Sequence, residues 1–190
     1  MKNIAIFASG TGSNARRIVE HFQDKDDYRV ALVVSNRHDA LVLKMAEEYG
    51  IDQLVISRDN FYHSEEILKK LSDYKIDFIA LAGFLWLIPE YLVKAYEKKM
   101  INIHPALLPQ YGGKGMYGHH VHHAVKAAGE SESGITIHYV NTKYDEGDIV
   151  FQARCALEED DTPEEIARKV LGLEHRHFPE IIEKILKENS

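Results

Sequence analysis

The chain has 190 residues, 45% of them hydrophobic and 28% charged, the proportions of one globular domain rather than of a disordered or collagen-like chain. Its 30 acidic residues against 23 Lys and Arg leave a formal charge of −7, which works against nucleic acid or an anionic membrane as a partner. The single cysteine, Cys155, excludes an intrachain disulfide framework and fits a reducing compartment. No run approaches 18 apolar residues, and the N-terminal run stops at Ala8, short of a signal-peptide core. A cytoplasmic protein is therefore expected, with no membrane and no nucleic acid among its partners.

In chain order, Ile4 to Ala8 is a short apolar run ending in Ser9-Gly10-Thr11-Gly12-Ser13-Asn14. Ala15, Ile18, Val19 and Phe22 then recur at helical spacing, which marks strand, tight loop and helix. Val30 to Val34 predicts a second buried strand, and a helix through Leu43, Met45 and Ala46 closes at Gly50. Leu54 to Ile56 is a third strand. Ile67, Leu68, Leu71 and Tyr74 share a helix face, and Phe78 to Ala82 is a fourth strand stopped by Gly83. A helix over Glu90 to Glu97 leads into the strand Met100 to Ile103.

After Pro105 the pattern changes. Leu107-Leu108-Pro109 and Tyr111-Gly112-Gly113-Lys114-Gly115 predict a long irregular loop, followed by a helix over Val121 to Ala128. Ile135 to Val140 and Ile149 to Ala156 read as an antiparallel pair of strands. Thr162-Pro163-Glu164-Glu165 is a capping box with Pro at the first helical position; it opens a helix to about Glu174, and a separate last helix starts near Pro179. Strands buried on both faces and alternating with helices indicate an open, doubly wound, mostly parallel α/β sheet of Rossmann-like type, with an antiparallel C-terminal addition. One domain over 1–190 is expected, residues 1–105 forming a mononucleotide- or phosphate-binding half and 106–190 completing the site.

Gly10-Thr11-Gly12-Ser13-Asn14-Ala15 matches G-x-G-x-x-G/A between a strand and a helix, where backbone N–H groups and the helix dipole favour a phosphate. The second strand ends in Val34-Ser35-Asn36-Arg37, without the acid of an NAD site. Arg37 suits a 2′-phosphate, so an NADP enzyme stays open here as the weaker reading.

Asn102-Ile103-His104-Pro105 is the most informative stretch. Alternation puts Asn102 and His104 on one side of their strand, about 6.6 Å apart, at the C-terminal end where open α/β sheets bind ligands. Two polar groups on an apolar strand are costly unless paired or used. An Asn amide stabilises an oxyanion and a His carries protons, which suits acyl transfer; with no Ser or Cys nucleophile beside them, the attacking group comes from a substrate. A buried, satisfied polar pair is the purely structural alternative. Asp145, taken alone, is one acid in the turn Asp145-Glu146-Gly147-Asp148. His119-His120-Val121-His122-His123 offers a metal pair or triad on a helix, but no Cys or acid stands at ligand spacing. The run therefore predicts a solvated helix start and no metal.

The sequence resembles the folate-dependent formyltransferase family, and within it the branch acting on glycinamide ribonucleotide (GAR). The matching pieces are Ser9 to Asn14, Leu81-Ala82-Gly83-Phe84, Ile101 to Pro109, Tyr144-Asp145-Glu146-Gly147, and Glu174-His175 with Pro179 following. The resemblance implies transfer of a formyl group from the co-substrate 10-formyltetrahydrofolate to the GAR amine in de novo purine (IMP) synthesis, with no metal and no nicotinamide. It implies that Asn102 and a protonated His104 stabilise the oxyanion and that Asp145 holds His104 in its charged form or orders a water that shuttles protons. Gly12, Ser13 and Asn14 then hold the GAR phosphate, and Glu174 accepts from its ribose. Phe84, Leu85, Trp86 and Leu87 wall the folate pocket together with Asn141 and Asp145 of the folate-binding half 106–190, and His138 plays a secondary part. Trp86 stands where many relatives carry Arg, and no tail-binding Arg matches near Tyr62-His63-Ser64. Lys114 stays outside the expected site, and the isomer of the Leu108–Pro109 bond stays open, the family pattern raising the low frequency of the cis form. The branches with an added N-terminal regulatory or C-terminal tRNA-binding domain do not fit 190 residues; a monomer or homodimer is expected.

Overall fold

The computed structural model describes residues 1–188. Seven strands form one sheet: β1 (Lys2–Phe7), β2 (Tyr28–Ser35), β3 (Asp52–Val55), β4 (Ile76–Leu81), β5 (Met100–His104), β6 (Glu132–Tyr139) and β7 (Ile149–Ala156). Their order is β3-β2-β1-β4-β5-β6-β7. Strands β1 to β5 pair in parallel, while β5–β6 and β6–β7 are antiparallel, as the sequence pattern predicts. The winding direction reverses between β1 and β4, so the C-terminal ends of these strands open a crevice at the switch point.

Alternation along β1 feeds two cores. Ile4, Ile6 and Ala8 belong to one buried cluster, with Ala15, Ile18 and Phe22 of α1 (Ser13–Phe22), Val42 of α2 (Leu41–Glu48) and Val121 of α6 (His119–Ala127). Ala5 and Phe7 belong to the other, with Phe61 of α3 (Arg58–His63), Ile67 and Leu71 of α4 (Glu66–Asp73) and Leu92 of α5 (Glu90–Ala95). Burial on both faces explains why the central strands read as unbroken apolar runs. Ile101 and Ile103 of β5 join the first cluster, and Met100 joins the second. Asn102 and His104 therefore share the Met100 side.

Two elements differ from the sequence expectation. Helix α7 runs unbroken over Pro163–Glu188 with Pro179 inside it, instead of ending near Glu174 and restarting. An interior proline costs about 3 kcal/mol. Phe178, Ile182, Ile185 and Leu186, all buried, extend the stripe begun by Ile166 and Val170, and each such side chain contributes about 1.5–3 kcal/mol, so burial outweighs the proline. The expected capping box does open α7: Thr162 N–H donates to Glu165 at 2.8 Å, and Glu165 N–H to Thr162 Oγ1 at 3.2 Å. The short helix α3 was not expected. Its signal is Ser57, whose hydroxyl accepts from Asn60 N–H at 3.2 Å.

Candidate active site

The glycine loop leaves β1 and enters α1 at the switch point. Gly12 sits at the N-cap with φ 78°, and a Cβ there would lie 2.8 Å from Val42 Cα, so only glycine fits between α1 and α2. No side chain caps α1. Its uncapped first turn therefore faces a cavity of about 1030 Å³ that Gly12, Ser13 and Asn14 line. Asn14 Nδ2 donates to Glu174 Oε2 at 2.6 Å, joining α1 to the middle of α7. Glu174 is buried, and burial raises its carboxyl above the usual 4.5 against the opposing effect of Asn14.

Asn102 and His104, at the end of β5, line the same cavity, and so does Asp145 from the loop after β6. His104 Nε2 lies 2.7 Å from the Tyr111 carbonyl, which only accepts, so that nitrogen carries a proton. Nδ1 then faces Asp145 Oδ2 at 3.5 Å. The same reasoning applies to His138. Its Nδ1 donates to the Tyr139 carbonyl at 2.8 Å, leaving Nε2 to accept from Asn102 Nδ2 at 3.1 Å. Asn102 Nδ2 also donates to Asp145 Oδ1 at 3.4 Å, and Gly113 N–H to Asp145 Oδ2 at 2.9 Å.

Burial lowers the His104 pKa below 6.5, opposed by the Asp145 carboxylate and the Tyr111 carbonyl. Above pH 6.5 the resting ring is therefore mostly neutral, and the charged form implied by the resemblance arises on taking up a proton. Burial works to raise Asp145, but His138, the His104 ring and the Gly113 N–H together hold it below 3.8. The outcome is an ionised carboxylate beside a neutral imidazole that has one nitrogen free. Asp145 itself has φ 56°, and the turn that carries it is pinned by Gly147, where a Cβ would meet the Tyr139 carbonyl oxygen at 1.7 Å.

Residues 2–182 match the family model described as formyl transferase. The chain belongs to the formyl transferase family. It is 43% identical over 193 residues to the chloroplastic phosphoribosylglycinamide formyltransferase of Arabidopsis thaliana, covering 98% of this chain and 66% of that one. It is 35% identical to the phosphoribosylglycinamide formyltransferase of Bacillus subtilis (strain 168), covering 100% and 97%. The crystal structure of the Anaplasma phagocytophilum phosphoribosylglycinamide formyltransferase superposes with a TM-score of 0.89 at 32% identity, covering 98% and 87%. This formyl transferase chain thus spans just under two thirds of its plant relative's length and nearly all of the bacterial one's.

The remaining expected residues divide by position. Phe84 and Leu85 line the cavity, but Trp86, Leu87 and Asn141 do not. Trp86 packs on Phe61, Tyr62 and Phe84 at ring distances of 5.7, 6.1 and 6.2 Å, the Leu87 carbonyl accepts from Tyr62 Oη at 2.9 Å, and Asn141 accepts from Lys143 N–H at 2.9 Å. His138 is buried behind Asn102. Glu174 stands mid-helix rather than at a helix C-terminus, because α7 continues past it.

Lys114, left outside the expected site, lines the cavity, as does Arg37; Arg37 is tied to Asp39 at 3.1 and 2.9 Å. In the histidine run, His122 is buried with Val121 and Val125 on the inner face of α6, so the solvated reading fails for it. Its Nδ1 has no hydrogen-bond partner. Among the described residues no three His, Cys, Asp or Glu side chains group to hold a metal ion, and no helix is long and apolar enough to cross a membrane. The Leu108–Pro109 bond is cis. Sequence reasoning missed the Tyr111 carbonyl and the Gly113 N–H, because backbone groups carry no residue-type signal.

Proposed function

We propose that this chain transfers a formyl group from 10-formyltetrahydrofolate to the amine of glycinamide ribonucleotide in purine synthesis. The observation that carries the reading is the meeting of Asn102, His104 and Asp145 in the cavity that also contains the loop Gly12-Ser13-Asn14. A proton carrier and an anion cradle share one space of two-substrate size. Both halves of the proposed single domain contribute, the first through the loop and β5, the second through Asp145 and Glu174. One chain supplies every group, which suits a monomer or a homodimer alike. Cys155 stays reduced in the cytoplasm, where we place the reaction.

The GAR phosphate docks on the N–H groups of Gly12, Ser13 and Asn14 at the start of α1, and Glu174 accepts from ribose hydroxyls. The folate ring lies against Phe84 and Leu85, with Trp86 packed on Phe84 behind that wall, and Leu87 and Asn141 stand outside it. The neutral GAR amine attacks the formyl carbon; the new C–N bond forms as the carbonyl π pair moves to oxygen. Asn102 Nδ2 turns to that oxyanion, giving up its long 3.4 Å contact with Asp145. His104 Nδ1 takes the proton shed by the amine, and Asp145 steadies the imidazolium. The proton then passes to N10 of the folate as the C–N10 bond breaks with its electron pair, and the oxyanion closes to a formamide. One proton moves from nitrogen to nitrogen, and nothing is oxidised.

Purified protein given both substrates is expected to form formyl-GAR, with His104→Ala slowed about 10²- to 10⁴-fold. Wild-type turnover in that variant sinks the role of His104. Folate deformylation without formyl-GAR makes water the acceptor.

A further inference from the structure

Residues 111–113 hold both His104, the proton carrier of the proposed reaction, and Asp145, which steadies its charge. The Tyr111 carbonyl accepts a hydrogen bond from His104 Nε2–H at 2.7 Å, and the Gly113 N–H donates to Asp145 Oδ2 at 2.9 Å. Yet this segment lies between β5 and α6 in no regular element. Tyr111 has φ 55°, a left-handed conformation unfavourable for a residue with a Cβ. Something must hold it there.

The Tyr111 side chain supplies that hold. It points away from the active-site cavity and lines a second one of about 320 Å³. There its hydroxyl donates to Glu130 Oε1 at 2.6 Å. Glu130 follows Gly129, in the turn between α6 and β6, and is anchored by its own N–H on the Val125 carbonyl at 3.4 Å. A phenol bonded to a carboxylate is a short, charge-assisted contact. Glu130 also helps raise the phenol to about 12, so the hydroxyl remains a donor across the working range.

We propose that the Tyr111–Glu130 hydrogen bond is a positioning device, which pins the Tyr111 carbonyl on His104 and so keeps the free ring nitrogen toward Asp145. The inference rests on His104 being the proton carrier. Without the pin, the carbonyl leaves Nε2, and the ring proton is free to move to Nδ1 and bond Asp145. The nitrogen needed by the substrate is then occupied. Loss of the carbonyl also pushes His104 further below 6.5, since burial already lowers it; the other titrating groups around the ring are Asp145, His138 and His122. Tyr111 and Glu130 touch no reacting atom and act only through His104.

The test is kcat and KM between pH 5 and 9 for Tyr111→Phe, Glu130→Ala and Glu130→Gln, read beside nitrogen-15 NMR of the His104 ring. Tyr111→Phe and Glu130→Ala are expected to lower kcat about tenfold or more, the worth of one charge-assisted hydrogen bond. KM for both substrates stays within about twofold, and the acid limb of kcat moves to lower pH. The double variant is no worse than either single one, and Glu130→Gln, which keeps an acceptor, retains most activity. A wild-type kcat and pH profile in Tyr111→Phe overturns the proposal, as does a loss carried in KM. Should Tyr111→Phe melt early, Glu130→Ala decides alone. The NMR arm needs no substrate: the parent ring carries its proton on Nε2, and an unchanged tautomer in both variants overturns the device even if formyl transfer itself fails.

Discussion

Asn14 donates a 2.6 Å hydrogen bond to Glu174, a residue 160 positions further along, and thereby closes the cavity between α1 and α7. Glu174 is a buried acid with Asn14 as its hydrogen-bond partner, and burying a carboxyl this way costs stability. Its folded pKa lies above the ordinary 4.5, so the folded state holds the proton to higher pH than the unfolded one. Stability contributed by this group is present below 4.5 and lost as pH rises through the folded value.

Glu174→Gln is therefore expected to raise the melting temperature at pH 7 and leave it nearly unchanged at pH 4, because the amide still accepts from Asn14. The same change weakens GAR binding about tenfold or more, through the lost charged acceptor. Calorimetric melts at the two pH values, with GAR KM, check both arms. A lower melting temperature at pH 7 refutes the first.

His104 carries the opposite sign. Burial lowers its folded pKa below 6.5, so the unfolded chain binds the extra proton first and stability falls as pH drops from about 6.5 through the folded value. Urea unfolding at pH 7.0 and 5.5 is expected to show a smaller pH-dependent loss in His104→Gln than in the parent. In the proposed reaction the neutral ring is the competent base, so activity is expected to persist to pH values below 6.5 before its acid limb begins. Asp145→Asn removes the opposing charge, moves that limb lower still and cuts kcat about 10²- to 10⁴-fold.

Asn102→Ala is expected to lower kcat about 10²- to 10³-fold while GAR and folate KM change little, since the amide meets the oxyanion only as charge develops. The removed Nδ2 also leaves His138 Nε2 without its 3.1 Å donor. A loss expressed mainly in KM assigns Asn102 to ground-state binding instead.

Gly12→Ala places a methyl 2.8 Å from the Val42 backbone at φ 78°. Both the strain and the clash destabilise, by about 1 kcal/mol or more together. The midpoint in urea drops, and GAR KM rises because α1 must shift its first turn. An unchanged midpoint contradicts the close α1–α2 packing at this position.

The site was partly legible in the sequence. Asn102 and His104 stand out because strand alternation alone puts both on one side, and Gly10 to Ala15 because a strand and a helix flank it. Asp145 is different: seen alone it is an acid in a polar turn, and only the antiparallel pairing of Asn102 with His138 brings the following loop back over the end of β5. Pro179 misleads for the same reason. Its local penalty is visible in the sequence, whereas the buried stripe that outweighs it belongs to the packed helix.

By itself, the sequence determined the order and type of the main elements, the parallel winding, the glycine loop between β1 and α1 and the polar strand end. These depend on residues within a few positions of one another, through periodicity, caps and turns. Tertiary structure alone decided that burial lowers the His104 pKa, that Trp86 packs among Phe61, Tyr62 and Phe84 rather than lining the cavity, and that Tyr111 and Gly113 offer backbone groups to the site. Burial, tautomer and backbone direction arise where distant segments meet, and no local pattern encodes them.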